Sequence, residues 1–240
     1  ITMTSLFWIR YNDCYFLTER KIKKIMKRIN IEQGTPEWHE TRYGKVGGTK
    51  NKGLLTDSDV LLVALLGCNM EDYEDEDSFT SAAMDRGNEL EPEARKQLNA
   101  YTGLEFKEVG WLQHSTIPLL GISPDGITDD DRFSAEIKCF GKDKHTRTIL
   151  EGVIPKEHIN QCLHYFVINP KLEKHYFGVF RPENNLAPLF VKSITRDSIL
   201  DFGTKRKPDL KTVAEWVAIS IELAEKLQID IDLAIEKLKF

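Results

Sequence analysis

Between Leu104 and Cys139 the hydrophobic period of the chain switches from helical to extended, and this switch limits the fold more than any other feature. Upstream, a helical pattern runs from about Ser78 to Tyr101 and closes at Gly103. LEFKEVGWLQH, LLGISPDGIT and FSAEIKC then read as three successive strands, divided by turn residues at His114 to Pro118 and Asp129 to Arg132. HINQCLHYFVI returns to a helical period, with Ile159, Cys162, Leu163, Phe166 and Val167 on one face that covers the sheet. HYFGVFRP and APLFVKSIT give two more strands, and a helical stretch from roughly Pro208 to Lys239 ends the chain. Helix, three strands, helix, strands and helix in that order predict an α/β fold with a mixed central β-sheet flanked by helices.

Ahead of the switch, Thr35 is placed to cap a helix with Pro36 at its first position and Glu37 in its first turn. This helix carries Trp38 and Arg42 and ends near Gly44, and Trp38 at its start reads as a core side chain. A second helix is expected from about Asp59 to Leu66, capped from Thr56, Asp57 or Ser58 and stopped by Gly67. Its sides are mostly apolar, which predicts burial. Pro92 should open a fresh segment or mark a kink in the long helix, because it lacks a backbone donor.

The 240 residues suit one large domain or two small ones, without internal repeats or a low-complexity linker. We expect an N-terminal extension over residues 1–30 and a single domain over 31–240. No apolar run approaches the ~18 residues of a membrane helix, so no membrane association is expected. Cys14, Cys68, Cys139 and Cys162 form no C-x-x-C pair and read as reduced, mostly buried thiols. The net charge of -5 argues mildly against nucleic acid, but the run EDYEDED holds six of the carboxylates and leaves room for a basic groove elsewhere. Near the N-terminus, the apolar patch Leu6 to Ile9 precedes a basic stretch with Arg20, Lys21, Lys23, Lys24, Lys27 and Arg28, the reverse of a secretory signal. That stretch reads as a solvated helix face or a terminal extension, with DNA phosphate contact as the alternative. None of the six histidines is paired with an acid at zinc-site spacing, and none is assigned to catalysis.

Chemistry is concentrated in two short segments. Ser123-Pro124-Asp125-Gly126 has ideal β-turn composition, and a turn alone accounts for it. Glu136-x-Lys138 lies on the next strand, where residues two apart share a face and would otherwise be an ordinary ion pair. A hairpin-like return brings Asp125, Glu136 and Lys138 together, and such a convergence of carboxylates is costly without a cation.

These segments have company. Gln33-Gly34-Thr35-Pro36-Glu37-Trp38 with Arg42 and Gly44, then Gly87-x-x-x-Glu91-Pro92, then the Pro-Asp turn, Glu136-x-Lys138 and Gln161 follow one another in order. From Gln33 to Tyr165 the chain resembles the lambda-exonuclease-like, YqaJ-type viral recombinase nucleases of the PD-(D/E)XK superfamily. The resemblance implies a restriction-endonuclease-like core in which Asp125, Glu136 and the backbone carbonyl of Ile137 hold a divalent metal, with Glu91 joining directly or through water. Oxygen-only ligation suits Mg²⁺, with Mn²⁺ as a substitute. By the same resemblance Lys138 touches the attacking water and the scissile phosphate, and Gln161 orients water or the strand, unless it merely serves a buried carbonyl. Arg42 and Thr49, with charge from Lys45, match the family's pocket for a terminal 5′ phosphate. Here the chain reads Val46-Gly47-Gly48-Thr49 where many relatives end in Ser, and it has Leu163 where relatives often carry a second glutamine. The implied activity is 5′→3′ digestion of double-stranded DNA that leaves 3′ overhangs for phage-type recombination. A ring-shaped homotrimer, a single-strand annealing protein as partner and a cytoplasmic, bacterial or phage-encoded setting come with it. A restriction or junction-resolving endonuclease with the same metal core, or a DNA-binding module without catalysis, are the alternatives.

Overall fold

The computed structural model describes residues 26–74, 82–204 and 206–239. The basic stretch up to Lys24, the patch Leu6 to Ile9, Cys14 and the end of the acidic run, Asp75 to Asp77, lie outside the described residues.

A four-stranded sheet carries the site. Its strands β4 (Gly126–Ile127), β5 (Phe133–Lys138), β6 (Lys174–Phe180) and β7 (Leu189–Thr195) are neighbours in that order. β4 and β5 are antiparallel, β5 and β6 parallel, β6 and β7 antiparallel, so the sheet is mixed. The parallel step needs a long crossover. α5 (Lys142–Glu151) and α6 (Lys156–Ile168) provide it.

Strand alternation then sorts β5 into two faces. Ala135 and Ile137 join Ala94, Leu98, Phe106 and Phe180 in a small core beneath α4 (Ala82–Thr102). Ala94 and Leu98 are one helical turn apart, which is why a largely polar helix can seal that face. Ser134 and Glu136 look the other way, toward α6, whose residues Cys162 to Ile168 are all buried, its apolar ones in the larger core. Fully burying one side chain such as Phe177 in that core contributes about 2–3 kcal/mol.

A second sheet, β1 (Lys27–Ile29), β2 (Trp111–Gln113) and β3 (Gly121–Ile122), leads the chain into the Pro-Asp turn. Arg28 fixes β1 to the β4–β5 turn by donating to Asp131 at 2.6 Å and to the Thr128 carbonyl at 2.8 Å. Three helices precede α4: α1 (Pro36–Arg42), α2 (Asn51–Leu55) and α3 (Asp59–Met70). A hairpin of β8 (Ile199–Asp201) and β9 (Leu210–Thr212) leads into α7 (Val213–Leu238), which packs on α2, α3 and α6.

Several expectations are corrected. LLGISPDGIT is two short strands in different sheets, because Ser123 to Asp125 leave the ladder to form the site. LEFKEVGWLQH pairs regularly only over β2, with a single further bridge from Lys107 to Ile127. α3 continues through Gly67 to Met70, and only Leu61 and Leu65 of it are buried while Val60 and Val63 face solvent. Pro92 lies inside an unbroken α4, which ends as expected at Gly103 with φ +69°. The final helix begins at Val213, where Thr212 and Glu215 form a reciprocal capping box. Of the described cysteines, all free, only Cys162 is fully buried.

Candidate active site

Asp125 stands where the β4–β5 ladder stops. Regular pairing reaches Gly126 opposite Ala135, and the next free donor on β5, the Ile137 N–H, donates to Asp125 Oδ2 at 2.7 Å. A carboxylate thus takes the place of a strand partner. The turn is held from three sides. Gln33 donates to the Pro124 carbonyl at 3.1 Å, Trp38 Nε1 donates to Ser123 Oγ at 2.8 Å, and Arg95 Nε donates to the Asp125 carbonyl at 2.6 Å.

Glu136 is completely buried. Lys138 Nζ donates to its Oε1, and the Tyr165 hydroxyl donates to its Oε2 at 2.7 Å. Glu91, one turn ahead of Arg95 on α4, accepts from that guanidinium at 2.6 Å. Pro92 beside it provides no N–H, so the Asn88 carbonyl loses its helical donor, and Asn88 borders the cavity.

The charges do not balance. Burial first, and then the neighbouring Glu136, hold the Asp125 carboxyl well above the usual carboxylate range. Burial also raises Glu91, against the opposing pull of Arg95. Burial alone would lower Lys138, but Glu136 and Asp125 outweigh it and raise its pKa, so the amine is held as an ammonium. Among the described residues no three His, Cys, Asp or Glu side chains stand together as a ready metal-binding group. Two converging carboxylates with excess negative charge nevertheless fit a hard divalent cation that completes its shell from carbonyl, water or substrate oxygens.

A cavity of about 560 Å³ collects these groups: Glu91, Asp125, Glu136, Ile137, Lys138 and Gln161 border it, together with Arg42. A neighbouring cavity of about 750 Å³ is bordered by Arg42, Lys45, Thr49 and Glu91. The candidate metal, catalytic and phosphate residues therefore all lie on one of two adjoining cavities that share Arg42 and Glu91.

The Arg42 guanidinium lies 3.7 Å from the Trp38 ring centroid and makes no ion pair among the described residues. Burial lowers the pKa of both Arg42 and Lys45, as expected for cations that lack an anion. Trp38 departs from its expected core role. It is partly exposed, pins the Pro-Asp turn through its N–H and offers its face to Arg42.

Gln161 lies against Gly48, where a Cβ would approach Gln161 Cγ to 2.8 Å. That close approach joins the Val46 to Thr49 segment to the wall of the cavity that Asp125 and Glu136 border. Two contributors were not singled out from the sequence, Arg95 and Tyr165. Each is one helical turn beyond a residue that was, Glu91 and Gln161 respectively, and the i, i+4 spacing was the available signal.

Comparisons with known proteins show the fold and the family. An alkaline exonuclease from Laribacter hongkongensis, LHK-Exo, is 26% identical, with a TM-score of 0.67 over 85% of this chain and 96% of that one. Its complex with dAMP gives 27% identity and the same TM-score. A phage-related exonuclease from Haemophilus somnus 129PT, at 14% identity and a TM-score of 0.50, shares the fold. No curated protein matches. The mixed sheet flanked by helices is thus the restriction-endonuclease-like arrangement of the alkaline exonuclease. The YqaJ-like viral recombinase domain matches residues 37–170, from the helix that carries Arg42 to the end of the helix that carries Gln161, and the chain belongs to that family.

Proposed function

We propose that the protein is a Mg²⁺-dependent exodeoxyribonuclease that digests double-stranded DNA from its 5′ ends and leaves 3′ overhangs for recombination. One observation carries this reading. The carboxylates of Asp125 and Glu136, with Lys138, border a cavity that Arg42 also borders, a cation without an ion pair among the described residues and so free to take a phosphate.

In this reading Arg42, Lys45 and Thr49 hold the 5′ phosphate by charge and hydrogen bonding. Asp125, Glu136, the Ile137 carbonyl and Glu91 would hold Mg²⁺, which when bound supplies charge neutralisation and an acidified water. Lys138, kept cationic by its acidic neighbours, donates to the attacked phosphate or to the incoming water rather than accepting a proton. Tyr165 and Arg95 keep Glu136 and Glu91 in place, and Gln161 orients water or the strand. Water adds to phosphorus, the bond to the 3′ oxygen breaks and a mononucleotide leaves. The remaining strand again begins with a 5′ phosphate, so Arg42 meets the same group at every cycle.

The family setting also supports a ring-shaped homotrimer and a single-strand annealing partner, in the cytoplasm of a bacterial or phage-infected cell. Among the described residues no helix is long and apolar enough to cross a membrane. The test is digestion of end-labelled linear duplex with and without a 5′ phosphate, beside covalently closed circles, in Mg²⁺. Release of 5′ label first, faster from phosphorylated ends, is expected. Circles cut as fast as linear DNA would point to an endonuclease instead.

A further inference from the structure

Beneath the site lies a histidine with no part in the chemistry above. His164 of α6 is completely buried, and its Nε2 donates to two carbonyls at once, that of Val46 at 3.1 Å and that of Gly121 at 3.0 Å. Its Nδ1 meets the side-chain amide of Asn51 at 3.2 Å, and that amide donates to the Asn160 carbonyl at 3.0 Å. Both ring nitrogens thus have partners, as burial demands.

The two segments that His164 joins are already in contact through their backbones. Val46 and Leu120 form a parallel bridge, in which the Val46 N–H donates to the Leu119 carbonyl at 2.8 Å and the Gly121 N–H to the Val46 carbonyl at 3.3 Å. From this bridge one segment runs on through Gly47 and Gly48 to Thr49, the other through Ile122 to Asp125. Gln161, one turn ahead of His164 on α6, lies against Gly48. A leucine would fill the same interior space. A ring N–H shared by two carbonyls also fixes how far apart they stand.

We propose that His164 is a positioning residue that sets the spacing between the Val46 to Thr49 segment and the arm that ends at Asp125. It touches neither DNA nor cation. This rests on the reading that a 5′ phosphate is held at Arg42, Lys45 and Thr49 and the cation at Asp125. On that reading the spacing of the two arms fixes how far from the 5′ phosphate the chain is cut, and so selects a mononucleotide as the product. A drift of about 1 Å between such parts costs up to about a hundredfold.

The test compares wild type, His164→Asn and His164→Gln on uniformly labelled linear duplex with and without a 5′ phosphate, in Mg²⁺. It measures kcat/KM on each kind of end and the length of the nucleotides released. A glutamine amide reaches about as far as Nε2, whereas an asparagine amide stops near the Nδ1 position. His164→Asn should lose about tenfold to a hundredfold of the preference for phosphorylated ends and release dinucleotides beside mononucleotides. His164→Gln should keep the wild-type preference and product. Both readouts are ratios within one preparation, so a smaller folded fraction does not move them. An unchanged preference or mononucleotides alone in His164→Asn, or equal impairment in His164→Gln, overturns the positioning role and leaves the nuclease reading intact. A wild type indifferent to the phosphate overturns the phosphate seat and this inference with it, and failure of wild type to digest either duplex overturns the nuclease reading itself.

Discussion

Asp125 is held in a position that costs the folded chain stability. Its carboxyl is raised well above the usual range, so its folded pKa exceeds its unfolded one, and ionisation as pH rises through those values opposes folding. Asp125→Asn should therefore raise the melting temperature of the EDTA-treated protein at pH 8, by about 2–4 °C for each ~1 kcal/mol relieved. Mg²⁺ should raise the melting temperature of wild type and leave that of Asp125→Asn unmoved, and equal responses would show that the cation binds elsewhere. Arg42 gives a complementary prediction: Arg42→Ala should erase the preference for 5′-phosphorylated ends, a loss of about tenfold to a hundredfold in KM, since a charged hydrogen bond contributes about 1.5–3 kcal/mol. A KM unchanged on both kinds of end would place the terminal phosphate elsewhere. At this scale the sequence was most legible where a side chain acts through its own charge, as in Asp125, Glu136, Lys138 and Arg42. It was least legible where a residue acts by holding another. Trp38 carries no mark that its N–H reaches Ser123, and Tyr165 none that its hydroxyl reaches Glu136, because both contacts join segments far apart in the chain.

At the scale of elements, the joint between the Val46 to Thr49 segment and α6 carries the most consequence. A methyl group at Gly48 would meet Gln161 Cγ at 2.8 Å and Ile122 Cδ1 at 3.3 Å, so Gly48→Ala should displace Gln161. We expect kcat to fall by about tenfold with stability changed by under ~1.5 kcal/mol, a modest disturbance for a partly open site. Unchanged kcat with Gln161 displaced would remove that side chain from the mechanism. Gly121 provides the contrast. Its Cβ would lie 2.1 Å from Trp111 Cζ2, and both residues are buried, so Gly121→Ala should cost about 1–3 kcal/mol or more in denaturant unfolding. Helices with a sharp cap or a dense apolar face, α1 and α6, were readable from the chain. α5 was not, since its ten residues are mostly polar and bury only His145 and Thr148. The start of α7 was legible in principle through Thr212-x-x-Glu215, but the hairpin before it has strands of three residues, too short to show a period.

For the whole molecule, the mixed sheet followed from the order of helical and extended segments, whereas its division from a second small sheet did not. Only the departure of Ser123 to Asp125 from the ladder separates β3 from β4, and that departure is a tertiary event. The interior also holds buried histidines. His164 and His175 are completely buried, and desolvation lowers their pKa to about 4 and about 3. Their folded values lie below the unfolded value near 6.5, so their contribution is full above pH ~6.5 and is lost as pH falls toward 4, by roughly 3 kcal/mol each. Urea midpoints should drop steeply across that window, and His175→Phe should flatten the slope. A midpoint that stays level from pH 6.5 to 4 would show that these rings are not buried neutral.

The central claim is that two carboxylates and an ammonium gathered where the β4–β5 ladder stops hydrolyse DNA with a divalent cation. It is tested most directly by measuring acid-soluble nucleotide released from linear duplex in Mg²⁺ by wild type and by Asp125→Ala, each checked for folding by circular dichroism. The account predicts that the variant folds and loses at least about a hundredfold in rate. Digestion by folded Asp125→Ala at the wild-type rate would contradict it.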